Sequence, residues 1–446
     1  MSTYKYSLFD YHAIDQADIT IDGITVLAGD NGCGKSTLFR WLYYLVNTSS
    51  RFDELVFKEF QDEIDNLLRQ GRSIARELGR GTTEFSLTDF SDISSGILRV
   101  EYDEEDAGEL VIQLFEEAMK LLGRGLNEYL VSSKSEFRIQ RMNNYLQLNI
   151  NNLEEMPSAI DAYVDRKIHE ALLISEKYAK NAEERSVGKF FDLVHSAYGV
   201  QDKEPERIQL SEEGVKLLRK NGLGNLLAID RAIYVDTPMA LSFGSLRSDS
   251  VFWKDLRRMM KASPAPLSPT KIKLLIRIKK LLGGEVKLQE SLYQDSELRF
   301  IRSVDNLNIK LEDTATGMKT FAYVQKLIEN GFLNERTLLL IDEPEAHLHP
   351  KWIFEFAHLL VLLHKELGVK VMVASHNPDM VAALQKVALV ESMIEHTHFY
   401  QAYPIESSYR FEYRDLGGSI NEIFRSFNIA TSRIQDYGEE RKTVGE

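Results

Sequence analysis

Cysteine is almost absent from this chain: Cys33 is the single thiol in 446 residues, so no disulfide forms within it. Proline is sparse at 10 residues, which leaves long stretches free to form helix. No run of about 18 uncharged apolar residues occurs, which excludes a membrane-spanning helix. Positive charge is in deficit as well. With 68 acids against 54 Lys and Arg the net charge is −14, a field that repels phosphate backbones, so contact with DNA requires a local basic patch. The opening residues MSTYKYSLFDYH lack the basic and apolar regions of a secretory leader, and a cytoplasmic location is expected. What is present, 43% hydrophobic and 27% charged residues, is the composition of a folded protein with room for two or three lobes.

The segment ITVLAGDNGCGKSTLFRWLYYL reads as an apolar strand from Ile24 to Ala28, a glycine-rich turn, and a helix starting near Lys35. The turn fits the phosphate-binding pattern G-x-x-x-x-G-K-[ST] in full. Gly29, Gly32 and Gly34 let the loop backbone, Asn31 and Cys33 included, curl around phosphate oxygens, and the helix N-terminus adds its own N–H groups. Lys35 is expected on the β- and γ-phosphates of ATP, Ser36 on Mg²⁺, and Thr37 at the α-phosphate. Cys33 is either a small residue that fits the loop or a thiol biased toward thiolate by its neighbours.

Far downstream, ERTLLLIDEPEAHLHP reads as a buried strand, Leu338 to Ile341, ending in two acids. Asp342 is expected in the Mg²⁺ shell beside Ser36, and Glu343 polarises the water that attacks the γ-phosphate. His347 and His349 stand two apart, not at the i, i+4 spacing of a helical zinc site, so the expected metal is the Mg²⁺ that accompanies ATP. GVKVMVASHNP supplies another buried strand, Val369 to Ala374, with Ser375 and His376 at its end, where such folds place ligand-facing groups.

The segments GDNGCGKST, LLLIDEPEAHLHP and VASHNP resemble the P-loop, Walker B and switch-histidine segments of ABC-type ATPases, in the branch that includes the SMC, RecF and OLD (overcoming lysogenization defect) proteins. That resemblance implies an α/β P-loop NTPase fold with an antiparallel β subdomain and a helical insertion. It also implies that Glu343 is the general base, that His376 senses the γ-phosphate, and that Glu345 to Pro350 cross a dimer interface. The family's Leu-Ser-Gly-Gly-Gln signature is missing. In its place LEDTATGMKTF offers the hydroxyl of Thr316, close backbone approach at Gly317, and the charge of Lys319 for the γ-phosphate of the opposite subunit. The run from this segment through DEPEAHLHPKW is similar to ATPases of bacterial phage-defence systems of the OLD, Septu and PARIS kinds.

Between the two halves, residues 51 to 80 and two later stretches are strongly helical, without the sustained heptads of long coiled-coil arms. GILRVEY, FRIQRM and YLQLNI alternate like half-buried strands, and DRAIYVDTP looks like a return to the central sheet. The expected division assigns 1–50 and 85–155 to the N-terminal part of the ATPase lobe, 51–84 to a helical insertion, 156–300 to a helical lobe, and 301–446 to the C-terminal part. A basic stretch from Lys254 to Lys287 fits either a DNA or acidic-partner contact or an amphipathic helix with solvated lysines. His396 and His398 alternate along a predicted strand without an evident carboxylate partner, and no glutamine is assignable to a Mg²⁺-linked loop.

By resemblance, the expected function is an ATP-binding and ATP-hydrolysing switch. It multimerises with itself around ATP and controls a separate effector, a nuclease, in anti-phage defence, with DNA or a phage product as trigger and no membrane partner. The alternative is a RecF- or SMC-like repair ATPase that clamps DNA.

Overall fold

Alternating apolar residues make the first hairpin. In β1 (Tyr4–Tyr11), Tyr4, Tyr6 and Leu8 point inward, and in β2 (Ile14–Ile21), Ile14, Ala17, Ile19 and Ile21 do so. The strands pair antiparallel from Tyr4↔Ile21 to Tyr11↔Ile14. The computed structural model describes residues 2–79, 85–132, 155–236, 250–289, 296–346, 348–406 and 408–425, with a few more between 140 and 146.

The chain divides into two units, Met1–Ser50 with Tyr198–Glu446, and Arg51–Ala197. The first holds β3 (Ile24–Ala28), β4 (Arg207–Glu212), β5 (Val215–Lys216), β6 (Leu218–Arg219), β7 (Gly222–Leu223), β8 (Arg231–Val235), β9 (Glu285–Gln289), β10 (Glu297–Arg302), β11 (Leu307–Lys310), β12 (Thr337–Asp342), β13 (Lys370–Ser375), β14 (Thr397–Pro404) and β15 (Phe411–Asp415). Among the described residues ten strands form one mixed sheet in the order β5-β4-β1-β2-β15-β14-β3-β13-β12-β8.

Its parallel portion, β14-β3-β13-β12-β8, is buried on both faces, which is why these strands read as continuous apolar runs. Helices Lys35–Ser50, Thr316–Glu329, Pro350–Leu367 and Pro378–Val390 cover it. The edge strand β8 is held by Asn47, whose side chain donates to Ala232 O (2.8 Å) and accepts from Ala232 N (3.0 Å), replacing a missing neighbour strand.

The antiparallel subdomain comes from β1, β2, β4 and β5, and a separate sheet β11-β10-β9 adds three strands. GILRVEY, expected among its strands, is not one of them. Ile97–Arg99 within GILRVEY is a 3₁₀ turn, its Ile97 side chain packed into a helical core. FRIQRM and YLQLNI lie largely outside the described residues.

The second unit is helical: Phe52–Leu78, Leu87–Gly96, Ala107–Ser132, Met156–Glu184 and the helix beginning at Val187. Phe57, Phe60, Phe90, Phe115, Leu122 and Tyr163 fill its core. Gly123 permits the close approach of two of these helices, since a Cβ there would lie 2.9 Å from Val164 Cγ2. Residues 85–132, expected with the ATPase lobe, belong to this unit because their apolar faces pack on its helices, while 198–300, expected as helical lobe, joins the sheet unit through β4 to β10. No described helix is long and apolar enough to cross a membrane.

The basic stretch resolves into helices Val251–Lys261 and Pro269–Leu282 followed by β9. Much of its charge is neutralised locally: Arg258 pairs with Asp255 (2.7 Å), Arg277 with Glu355 (3.1 Å), and Lys279 and Lys287 with Glu285 (2.6 and 2.7 Å). Leu274, Leu275, Ile278 and Leu282 face the core, the pattern of an amphipathic helix.

Candidate nucleotide site

Three parallel strands end side by side. Ala28 of β3 pairs with Ser375 of β13, and Ala374 pairs with Asp342 of β12. The C-terminal ends of a parallel sheet are where side chains from different strands converge on a ligand. The glycine-rich loop leaves β3 here. Gly32 and Gly34 have φ of +85° and +96°, backbone that residues with a Cβ rarely adopt. At Gly34 a Cβ would also meet Ile14 Cγ1 at 2.7 Å, so the loop is pressed against the start of β2.

Lys35 is buried and its Nζ donates to Gly29 O (2.8 Å) and Asp30 O (2.9 Å), so the ammonium lies across the start of the loop. Ser36 Oγ donates to Asp342 Oδ2 at 2.5 Å, and Tyr234 OH donates to the same oxygen at 3.3 Å. Burial pushes the Asp342 carboxyl above the usual carboxylate range, against the hydrogen bond from Ser36 and the charge of Lys35. A serine hydroxyl beside a carboxylate is a hard-oxygen donor pair of the kind Mg²⁺ accepts, so the residues present fit that ion. Thr37 and Asn31 lie on the same helix start and loop.

Immediately after β12, Glu343 adopts φ +47°, left-handed backbone that is costly for a residue with a long side chain. Its N–H donates to Ala374 O (2.8 Å), which holds the turn, and its carboxylate Oε1 lies 3.1 Å from His376 Nδ1. Both side chains stay partly exposed, at 40% and 45%, and so remain open to a ligand.

The proposed signature residues part company. Thr316 and Gly317 open the helix Thr316–Glu329, but Lys319 is 2% exposed and its Nζ donates inward to Glu312 O at 2.7 Å. Burial lowers its pKa. The expectation that Lys319 presents a charge to an opposing subunit is corrected: it stands on the core-facing side of a helix whose residues from Thr320 to Ile328 are all buried. Glu345, expected at a subunit seam, is likewise inward, 5% exposed. His347 lies outside the described residues, and His349 caps the next helix by accepting from Lys351 N (3.3 Å). Among the described residues no His, Cys, Asp and Glu group has a metal-binding arrangement of its own.

Other residues join the site without a sequence motif. Tyr11 and His12 stack at 4.1 Å with 13° between planes where β1 turns into β2; two residues after His12 comes Ile14, the side chain that a Cβ on Gly34 would meet. Tyr413 of β15 donates to Cys33 O (3.1 Å) and lies 3.5 Å from its sulfur, which is fully buried, so Cys33 acts as a packed loop residue. Gln61 sits in the helical unit, donating to Ile97 O (2.7 Å) and Val100 O (2.9 Å).

Parts of the chain are similar to known proteins. Residues 319–382 match the family described as "AAA domain, putative AbiEii toxin, Type IV TA system". The energy-coupling factor transporter ATP-binding protein EcfA3 of Clostridium perfringens is 36% identical over 72 residues, 16% of this chain and 25% of that protein. The methionine import ATP-binding protein MetN of Corynebacterium diphtheriae is 26% identical over 125 residues, 27% of this chain and 36% of that protein. The match thus spans about a quarter of the length of the first of these relatives. Among solved structures, the SMC head domain from Thermotoga maritima aligns at TM-score 0.34 and 12% identity, covering 93% of this chain and 99% of that one. An SMC head bound to the C-terminal winged-helix domain of ScpA aligns at 0.37 and 12%, covering 94% and 98%. The phosphate loop and the strand order are those of a mixed α/β P-loop fold, and the sequence matches tie short segments of the chain to AAA-domain and ABC-type ATP-binding proteins.

Proposed function

We propose that the protein binds and hydrolyses ATP with Mg²⁺ as a molecular switch, and that its nucleotide-bound form assembles with further copies of itself to control a separate effector, a nuclease, in anti-phage defence. One observation carries the hydrolytic part: the Ser36–Asp342 and Glu343–His376 pairs stand together at the ends of adjacent parallel strands, beside a complete phosphate loop. Lys35 and the loop N–H groups bind the β- and γ-phosphates, and the Tyr11–His12 stack offers a flat surface for the base. Glu343 accepts the proton of the attacking water, and His376 holds Glu343 in place and reads the γ-phosphate. Ser36 and Asp342 hold Mg²⁺, which supplies charge neutralisation on the phosphate oxygens when bound. Thr316 and Gly317 begin a helix whose N-terminus favours the anionic phosphate of a second copy.

The defence setting is supported by the likeness to OLD-, Septu- and PARIS-type ATPases and by a matched family whose description names a toxin of a Type IV TA system. The switch logic is population shift: a nucleotide touching two copies favours the closed assembly. The test is an ATPase assay with Mg²⁺, combined with purification from the native host. A co-purifying nuclease is the expected outcome; a recombination factor with DNA-stimulated hydrolysis selects the DNA clamp, and a membrane protein selects a transport role.

A further inference from the structure

Two short segments form the hydrolytic corner: the turn after β12, which carries Glu343, and the tripeptide Ser375 to Asn377 at the end of β13, which carries His376. They are joined by Glu343 N–H to Ala374 O at 2.8 Å and by one buried side-chain link. Ser375 Oγ donates to Glu345 Oε1 at 2.6 Å. The same Ser375 Oγ accepts from Asn377 N at 3.0 Å, and Asn377 in turn caps the helix Pro378–Val390 by accepting from Asp379 N (2.8 Å). His376 therefore sits in a tripeptide tied at both ends through a single hydroxyl, and that hydroxyl is anchored on Glu345.

The choice of glutamate there is not explained by stability. Glu345 is 5% exposed, and its second oxygen, Oε2, is buried with no hydrogen-bond partner among the described residues. An unsatisfied buried oxygen is destabilising, so an apolar residue would serve packing better. Burial pushes the Glu345 carboxyl above the usual range, against the hydrogen bond from Ser375. A carboxyl with that cost, placed two residues after Glu343 and bonded to the residue before His376, has a positioning role to justify it.

Resting on the ATP-hydrolysing reading above, we propose that Glu345 is a positioning residue: through Ser375 it fixes His376 against Glu343, and so sets the catalytic corner without touching nucleotide. The phosphate loop, Ser36 and Asp342 lie outside this link, so nucleotide affinity is expected to survive its loss while turnover does not.

The experiment compares Glu345→Ala, Glu345→Gln and Ser375→Ala with wild type, measuring KM and kcat for ATP in Mg²⁺, binding of a fluorescent ATP analogue, and thermal melting. Glu345→Ala is expected to lower kcat by about tenfold to a hundredfold while affinity stays within about threefold, and Glu345→Gln, which keeps the acceptor, restores most of the rate. Should Glu345→Ala fail to fold, Ser375→Ala, smaller in effect on packing, is expected to show the same loss in kcat at unchanged affinity. Turnover within about twofold of wild type in the folded alanine variants overturns the assignment, as does equal loss of binding and turnover in all of them. Wild type that binds ATP without hydrolysing it, or that does not bind, overturns the ATPase reading instead and is separable from either result.

Discussion

His376 Nδ1 lies 3.1 Å from Glu343 Oε1, although the two residues follow different strands of the sheet. The contact forms because β12 and β13 are parallel neighbours in register, Asp342 opposite Ala374, so whatever follows each strand emerges at the same edge. A carboxylate held by an imidazole beside a phosphate loop is a proton acceptor fixed in orientation, which is what activation of water needs.

Replacing Glu343 by Gln removes that acceptor and keeps the shape. Hydrolysis is expected to fall by about 10²–10⁴-fold with ATP binding retained, and the assembled form to accumulate on size-exclusion chromatography in ATP. A wild-type rate in this variant would show that the proton goes elsewhere.

Lys35→Ala removes the ammonium that now bridges Gly29 O and Asp30 O. Loss of the phosphate contact is expected to abolish detectable nucleotide binding by titration calorimetry, with melting in the absence of nucleotide changed little, since most of the loop's shape comes from Gly32, Gly34 and the following helix.

Asp342→Asn tests the ion. The Ser36 hydroxyl can still donate to the amide oxygen, so the fold is expected to hold, but a neutral group is a poor Mg²⁺ ligand. The Mg²⁺ concentration giving half-maximal hydrolysis should rise by about tenfold or more, and chelation by EDTA should stop turnover in wild type.

Gly34→Ala meets two obstacles, φ +96° and a Cβ 2.7 Å from Ile14 Cγ1. The loop is expected to shift, lowering ATP affinity by about tenfold or more, while the Gly32→Ala change, with open space around its Cβ, faces only the backbone term. Equal effects of the two would contradict the packing of β2 on the loop.

A pH effect is expected away from the site. His398 Nε2 and Asp22 Oδ1 are 2.9 Å apart, and His396 Nδ1 lies 3.8 Å from the other oxygen of Asp22, the carboxylate partner that His396 and His398 lacked in sequence. The hydrogen bond that His398 donates to Asp22 raises the pKa of His398 from 6.5 despite burial, and for Asp22 the histidine contacts outweigh burial and lower it from 3.8. The His398 contribution is therefore complete below pH 6.5 and is lost as pH rises through the raised value. That of Asp22 is present above pH 3.8 and fades as pH falls through the lowered value. The melting temperature of wild type minus that of His398→Asn should be greatest between these limits and shrink in alkaline buffer; a difference that does not vary with pH would exclude the ion pair.

By itself, the sequence determined the parts whose chemistry is local. The phosphate loop, the strands at β3, β12 and β13, and the acids Asp342 and Glu343 are written in consecutive residues, because a glycine turn into a helix and an apolar run into carboxylates are short-range patterns. Only the tertiary structure decided what those parts touch. Ile14 packs on the loop, Asp22 meets His398, Lys319 turns inward and Glu345 bonds Ser375 because strand register and helix facing bring distant residues together. The middle of the chain was misdivided for the same reason. Alternation over a few residues, as at Ile97–Arg99, is compatible with strand or turn until the helical core around it settles which side is buried.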